Sequence, residues 1–320
     1  MNLGGPDSPE AVPPFLTNLF SDPAIIDLPA LVRRPLARLI ARQRSRIATD
    51  IYAHLGGGSP LLANTEAQAR ALEAELGSEY RCFVAMRYWH PLTAEAVTAV
   101  KAWRPSDIVL LPLYPQFSTT TTRSSLKAWH EEARRQGLAC PMREVPPYPA
   151  EPGFIAALAA HIDAELDDLA GPVRLLLSAH GLPLKIVRKG DPYPEQVEAT
   201  AKAVAAALRH RPVDWRVCYQ SRVGPLAWLG PSTEAEIRCA GQDGMGVVIA
   251  PISFVSEHSE TLVELDRDYR RLAEAAGVPF YRRAPAVGTD PRFIAGLARL
   301  VRGEVDPDTA QRASPAAALS

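Results

Sequence analysis

Short apolar runs alternate along the chain with longer segments whose apolar residues step by three and four. That alternation predicts an α/β protein built on parallel sheets. The runs at 82–86, 108–113, 173–179, 217–220 and 247–252 read as strands, with weaker ones at 142–145 and 280–282. Several are apolar throughout, as strands are when helices cover both faces of their sheet. Helices are expected over 66–76, 93–103, 124–136, 154–169, 194–208 and 257–276. The last has the clearest pattern: Leu262, Leu265, Tyr269, Leu272 and Ala276 share one stripe. Ser256 can cap its start, and Gly277 followed by Val278-Pro279 ends it.

The Pro-rich stretch Val145-Pro146-Pro147-Tyr148-Pro149 reads as a hinge. Two domains are therefore expected, residues 1–148 and 149–320, with the last helix returning to pack on the first. Their strand-to-turn patterns are loosely alike. The run at 108–113 leads into Tyr114-Pro115-Gln116-Phe117-Ser118, and that at 247–250 into Pro251-Ile252-Ser253-Phe254-Val255-Ser256. The matching turn for Ser178-Ala179-His180-Gly181-Leu182-Pro183 is Asn2-Leu3-Gly4-Gly5-Pro6-Asp7, yet no strand precedes it. A strand is therefore expected upstream of Met1.

Composition narrows the function classes. The chain has 320 residues, 47% of them hydrophobic, and a formal net charge of −1. Near-neutrality supplies no field for gathering nucleic acid. No run of about 18 apolar residues is present to span a bilayer. The opening Met1–Asp7 lacks the basic and apolar regions of a signal peptide, so a soluble cytoplasmic protein is expected, monomeric by default. The four cysteines, Cys82, Cys140, Cys218 and Cys239, form no short ligand spacing and so suit reduced thiols rather than a disulfide or zinc framework. Gly56-Gly57-Gly58-Ser59-Pro60 lacks the Lys-Ser/Thr of a P-loop, and no Gly-x-Gly-x-x-Gly follows a strand.

Two polar groups fall after strand ends, where ligands bind in open α/β sheets. His180 ends the run at 173–179, and Glu257-His258-Ser259-Glu260 opens the last long helix. A histidine there can be purely structural, and acids in a first turn complement the helix dipole. Glu257, Glu260, Glu264 and Asp268, however, step by three and four into one acidic ridge, which a solvated surface would not need. A route for divalent cations or protons would. One histidine with a carboxylate suits brief metal holding and proton acceptance, because a tight structural site normally has four ligands. Between Phe15 and Arg46, apolar residues interleave with six arginines. That stretch is an ordinary helix with solvated charges, or an apolar lip with a basic flank. A lip would suit an anionic membrane surface or an apolar substrate bearing carboxylates.

In their order these motifs resemble the ferrochelatase family over nearly the whole chain. The stretches concerned are Leu55-Gly56-Gly57-Gly58-Ser59-Pro60, Met86-Arg87-Tyr88-Trp89-His90-Pro91, Tyr114-Pro115-Gln116-Phe117-Ser118, Ser178-Ala179-His180-Gly181-Leu182-Pro183 and Gly190-Asp191-Pro192-Tyr193-Pro194. Tyr219-Gln220-Ser221-Arg222-Val223-Gly224-Pro225 through Trp228-Leu229-Gly230-Pro231, and Glu257-His258-Ser259-Glu260-Thr261-Leu262, complete the set. The resemblance implies two Rossmann-like, chelatase-type domains with a porphyrin cleft between them. It also implies a metal chelatase of the lyase class that inserts Fe²⁺ into protoporphyrin in the last step of haem synthesis. His180 corresponds to the family's essential histidine and Glu260 to the glutamate facing it. Glu264 and Asp268 continue an acidic path. Arg44, Tyr52 and Ser59 fall where porphyrin contacts are expected, and Arg87, Tyr88 and Trp228 occupy motif positions lining the pocket. Some members hold an iron–sulfur cluster through one central and three C-terminal cysteines. Here Thr119 stands at the central position and no cysteine follows Cys239, so no cluster and no resident cofactor are expected. Alternative readings are a coproporphyrin chelatase and a porphyrin or haem carrier without chemistry.

Overall fold

A computed structural model describes residues 1–209 and 214–303. The chain divides into two compact units, Met1–Pro146 and Pro147–Ser320. Residues 304–320, the tail of the expected second domain, lie outside the described residues.

The first unit opens with helices α1 (Val12–Phe20), α2 (Ala30–Ala53), α3 (Leu61–Leu76) and α4 (Thr93–Trp103). Strand β1 (Ile108–Leu110), helix α5 (Thr122–Arg135) and strand β2 (Met142–Glu144) complete it. β1 and β2 pair in parallel. The expected strand at 82–86 finds backbone partners only towards its C-terminal end. The Asn2 N–H donates to the Ala85 carbonyl, and the Arg87 and Tyr88 N–H groups donate to the carbonyls of Asn2 and Leu3. On its other side Met1 bonds the backbone of Leu111 and Leu113. Residues 1–3 thus run between the 85–88 segment and the chain leaving β1.

The second unit contains α6 (Pro152–Leu166), β3 (Val173–His180), the short α7 (Leu184–Val187), α8 (Tyr193–Ala207) and β4 (Asp214–Gln220). Helix α9 (Thr233–Gln242) and strand β5 (Gly246–Pro251) follow. A π-helix over Glu260–Asp268 runs into α10 (Tyr269–Ala275), then β6 (Tyr281–Arg283) and α11 (Pro291–Arg302). Its four strands are all parallel in the order β4-β3-β5-β6. The first unit traces the same order through residues 85–88, 1–3, β1 and β2, which is the internal likeness expected from the turns.

Leu175, Leu176 and Leu177 of β3 and Val247–Ala250 of β5 are wholly buried. Leu176, Cys218, Val247 and Ile249 face one core that Ile237, Ala240, Leu265, Tyr269 and Ala273 close from α9, the π-helix and α10. Leu175 and Leu177 point to the opposite face, because side chains alternate along a strand. The last described helix packs on α6 of its own unit: Phe293 meets Phe154, and Arg299 pairs with the buried Glu151. No described helix is long and apolar enough to cross a membrane.

Candidate functional site

His180 is the last residue of β3, in register with Gln220 at the end of β4. The chain then turns at Gly181, whose N–H donates to the Gln220 carbonyl over 2.8 Å. A Cβ there would sit 2.8 Å from that same oxygen, so the close approach requires glycine. Residues 182–184 next pair with 227–229 through two backbone bonds, which fixes the loop carrying His180.

Glu260 comes from the start of the π-helix. Its Oε1 lies 3.5 Å from His180 Nε2, and its Oε2 lies 3.5 Å from His258 Nε2. Each imidazole is oriented from behind: His180 Nδ1 is 2.6 Å from the Gly181 carbonyl, and His258 Nδ1 is 3.0 Å from that of Ser256. A carbonyl only accepts, so each Nδ1 carries hydrogen and each Nε2 is the nitrogen turned to the carboxylate. The Phe254 ring stands edge-on to both imidazoles. His180 keeps 42% of its side-chain surface exposed and Glu260 32%, whereas His258 keeps 15%. The sequence assigns His258 no role of its own within the Glu257–Glu260 group. Its one signal is a place two residues before Glu260.

Burial works against a charge on His180, but Glu260 beside it wins and raises its pKa to about 9. Burial likewise opposes the Glu260 charge. His180 and His258 outweigh it and hold the carboxyl below the ordinary carboxylate range. At neutral pH the two groups therefore form an imidazolium–carboxylate pair. Among the described residues, no group of three or more His, Cys, Asp or Glu is arranged to hold a metal.

The acidic ridge is only partly assembled. Glu264 accepts from the Ser221 N–H (2.8 Å), the Ser221 hydroxyl (2.6 Å), the Gln220 amide (3.2 Å) and the Tyr269 hydroxyl (2.8 Å). Glu257 turns away instead and pairs with Arg283 at 2.9 Å. Asp268 is exposed at the far end. The helix expected from 257 begins only at Glu260, so Glu257 lies in the preceding loop, held by Arg283 and the Ala286 N–H. The wide π-turn carries Asp268 off the line an α-helix would keep.

Of the residues expected to contact porphyrin, Tyr52 and Tyr88 lie in an apolar core with Val12, Phe15, Leu16 and Ala41, where they anchor α1 and α2. Tyr88 is 1% exposed and its hydroxyl donates to Asp22. Arg87 pairs with the same carboxylate at 2.7 Å. Asp22, buried beneath these groups and beside Ser124, carries no signal in the sequence: one acid in an apolar lip has no periodicity to mark it. Arg44 is half-buried on α2, and Ser59 sits beside Gly5. Trp228 lies against Gly181, and its buried indole N–H has no acceptor among the described residues.

The ferrochelatase family profile matches residues 1–305. A ferrochelatase of Caulobacter vibrioides is 58% identical over 311 residues, covering 95% of this chain and 88% of its own length. One from Phenylobacterium zucineum is 55% identical over 312 residues, covering 95% and 90%. The chain belongs to the ferrochelatase family. A third ferrochelatase, from Pelagibacter ubique, is 46% identical over 305 residues, covering 94% of this chain and 88% of that one. The solved structure of SirB from Bacillus subtilis with Fe³⁺ aligns with a TM-score of 0.55 at 15% identity, covering 78% of this chain and 92% of that one. At that identity it speaks for a shared fold. The family is one of metal chelatase enzymes, which agrees with the α/β architecture and the sparse His–Glu arrangement.

Proposed function

We propose that this chain inserts Fe²⁺ into protoporphyrin at His180 and Glu260, releasing two protons and completing haem. The observation that carries the reading is the opposed His180–Glu260 pair, open to solvent on one side and braced by Gly181, Ser256 and His258 on the other. Fe²⁺ is a substrate here, so a tight cage would defeat transfer to the macrocycle. One imidazole and one carboxylate hold it weakly enough to release it.

The charge state gives each group a role. An approaching dication makes the His180 imidazolium unfavourable, and its proton passes to water at the exposed side of the pair. Neutral Nε2 then accepts the two pyrrole N–H protons in turn, giving up the first before it takes the second. Glu260, kept ionised, balances whichever cation stands beside it, iron or imidazolium. Binding energy from the rest of the porphyrin is available to distort the ring and turn its nitrogens towards the metal.

Trp228, Arg44 and Ser59 are the proposed porphyrin contacts. The place of Trp228 against Gly181, in the loop that carries His180, supports the first. Tyr52, Tyr88 and Arg87 instead fix the lip, through its apolar core and through Asp22. That lip leaves Leu31 92% exposed, with Val32, Leu39 and Ile47 also turned outward among arginines. Peripheral contact with an anionic membrane surface is proposed for this face, on a cytoplasmic protein. No iron–sulfur cluster is proposed, since Thr119 replaces the central cysteine and Cys218 is buried against Thr233.

The test is an anaerobic assay of Fe²⁺ with protoporphyrin and, in parallel, with coproporphyrin, followed by the change in porphyrin absorbance. Faster insertion into protoporphyrin is expected. Preference for coproporphyrin, or binding without insertion, would overturn the reading.

A further inference from the structure

Insertion liberates two protons at a site closed on one side by the β-sheet and the π-helix, and the His180–Glu260 pair can retain them only transiently. One hydroxyl behind that pair has an unusual position. The Tyr269 Oη lies 2.8 Å from Glu264 Oε1 and 3.2 Å from Glu234 Oε1. A phenol has one hydrogen, so it cannot donate to two ionised carboxylates together. The arrangement is complete when one carboxyl is protonated and donates to Oη while Oη–H donates to the other. That is the geometry of a proton relay.

The surroundings favour one direction. Glu264 is one turn beyond Glu260 on the π-helix and is felt electrostatically at His180. Burial and the neighbouring Glu260 charge raise its pKa, so it is a ready proton acceptor. Gln220 ties the Glu264 carboxylate to the helix start, donating to Glu264 (3.2 Å) and to the backbone carbonyl of Glu260 (2.9 Å). Ser221 presents its N–H and hydroxyl to Glu264 from a left-handed backbone, φ 59°. A serine held there is strained, and such strain concentrates at functional positions. Glu234 is only partly buried, in the first turn of α9, where unpaired backbone N–H groups favour negative charge.

We propose that Tyr269 and Glu234 are the proton outlet of the insertion reaction, passing protons from Glu264 to solvent. The proton on Glu264 moves to Oη as the phenolic hydrogen moves to Glu234, which then loses it to water. Tyr269 ends the step neutral. The hydrogen-bonded relay is Glu264, Tyr269 and Glu234, fed from the His180–Glu260 pair across the one turn between Glu260 and Glu264, and it leaves the π-helix sideways rather than along it to Asp268. The inference rests on the proposed insertion chemistry at His180 and Glu260.

Single-turnover stopped flow under anaerobic conditions tests it, with Fe²⁺ and protoporphyrin in a weakly buffered solution. Porphyrin absorbance reports insertion and an indicator dye reports protons. In Tyr269→Phe and Glu234→Gln, proton appearance should slow about tenfold, with KM for both substrates unchanged and a larger solvent deuterium isotope effect. The double variant should be no slower than Tyr269→Phe, because both changes break one chain. Glu234 is near the surface, so its variant keeps the test valid even if Tyr269→Phe folds poorly. Wild-type proton release in Glu234→Gln and in any folded Tyr269→Phe, or multiplying losses in the double variant, would overturn the outlet alone. Absence of insertion by the unmodified protein would overturn the insertion chemistry on which it stands.

Discussion

His180 and Glu260 stand 3.5 Å apart, Nε2 to Oε1, although they come from a strand end and a helix start 80 positions apart in the chain. The separation follows from the parallel sheet, which delivers every strand's C-terminal loop to one edge. The pair is also a coupled charge system, so its members titrate together.

Glu260→Gln should lower the His180 pKa from about 9 towards the ordinary 6.5, because the carboxylate is what raises it. Titration of the His180 imidazole by NMR reads this directly. A midpoint that stays near 9 would assign the shift to another group.

The same shift ties stability to pH. The folded pKa of His180 lies above its unfolded value, so its contribution is complete below about pH 6.5 and is lost as pH rises towards about 9. Melting temperatures of wild type and His180→Ala should therefore converge as pH rises across that window. Parallel curves would contradict the assignment.

Arg283 braces the π-helix by pairing with Glu257 at 2.9 Å and bidentately with Asp266 at 2.8 Å. Arg283→Ala strips three mostly buried charge contacts and should cost about 3 kcal/mol in denaturant unfolding. Loss of kcat should accompany it, since Glu260 lies between the two anchored acids in sequence.

Tyr88 is expected to act through packing. Tyr88→Phe removes one buried hydrogen bond to Asp22 and should cost about 1 kcal/mol while leaving the KM for porphyrin unchanged. A raised KM with unchanged stability would restore it as a direct contact.

On the lip, Leu31→Glu should change stability by less than about 0.5 kcal/mol, because the side chain is almost wholly exposed. Its binding to anionic phospholipid vesicles should fall in a sedimentation assay. Equal binding would place any membrane contact elsewhere.

Much of this was legible from residue order. The apolar runs of β3 and β5 and the stepped pattern of α4 are local properties of the chain, and they form where expected. His180 and Glu260 were legible as strand-end and helix-start polar groups. The π-helix and its start at Glu260 were not, since its fourth-residue spacing is equally that of an α-helix, and so the place of Glu257 in the preceding loop and the displacement of Asp268 stayed hidden. Asp22 and Glu234 were invisible for a different reason: each matters through partners distant in sequence, Arg87 and Tyr269.

The central claim is that His180 and Glu260 insert the metal. The most direct measurement is the anaerobic Fe²⁺ and protoporphyrin absorbance assay on His180→Ala and Glu260→Gln beside wild type. Insertion should fall at least about a hundredfold in His180→Ala, with Glu260→Gln also strongly reduced, while both variants stay folded. Wild-type insertion rates in a folded His180→Ala would contradict the account.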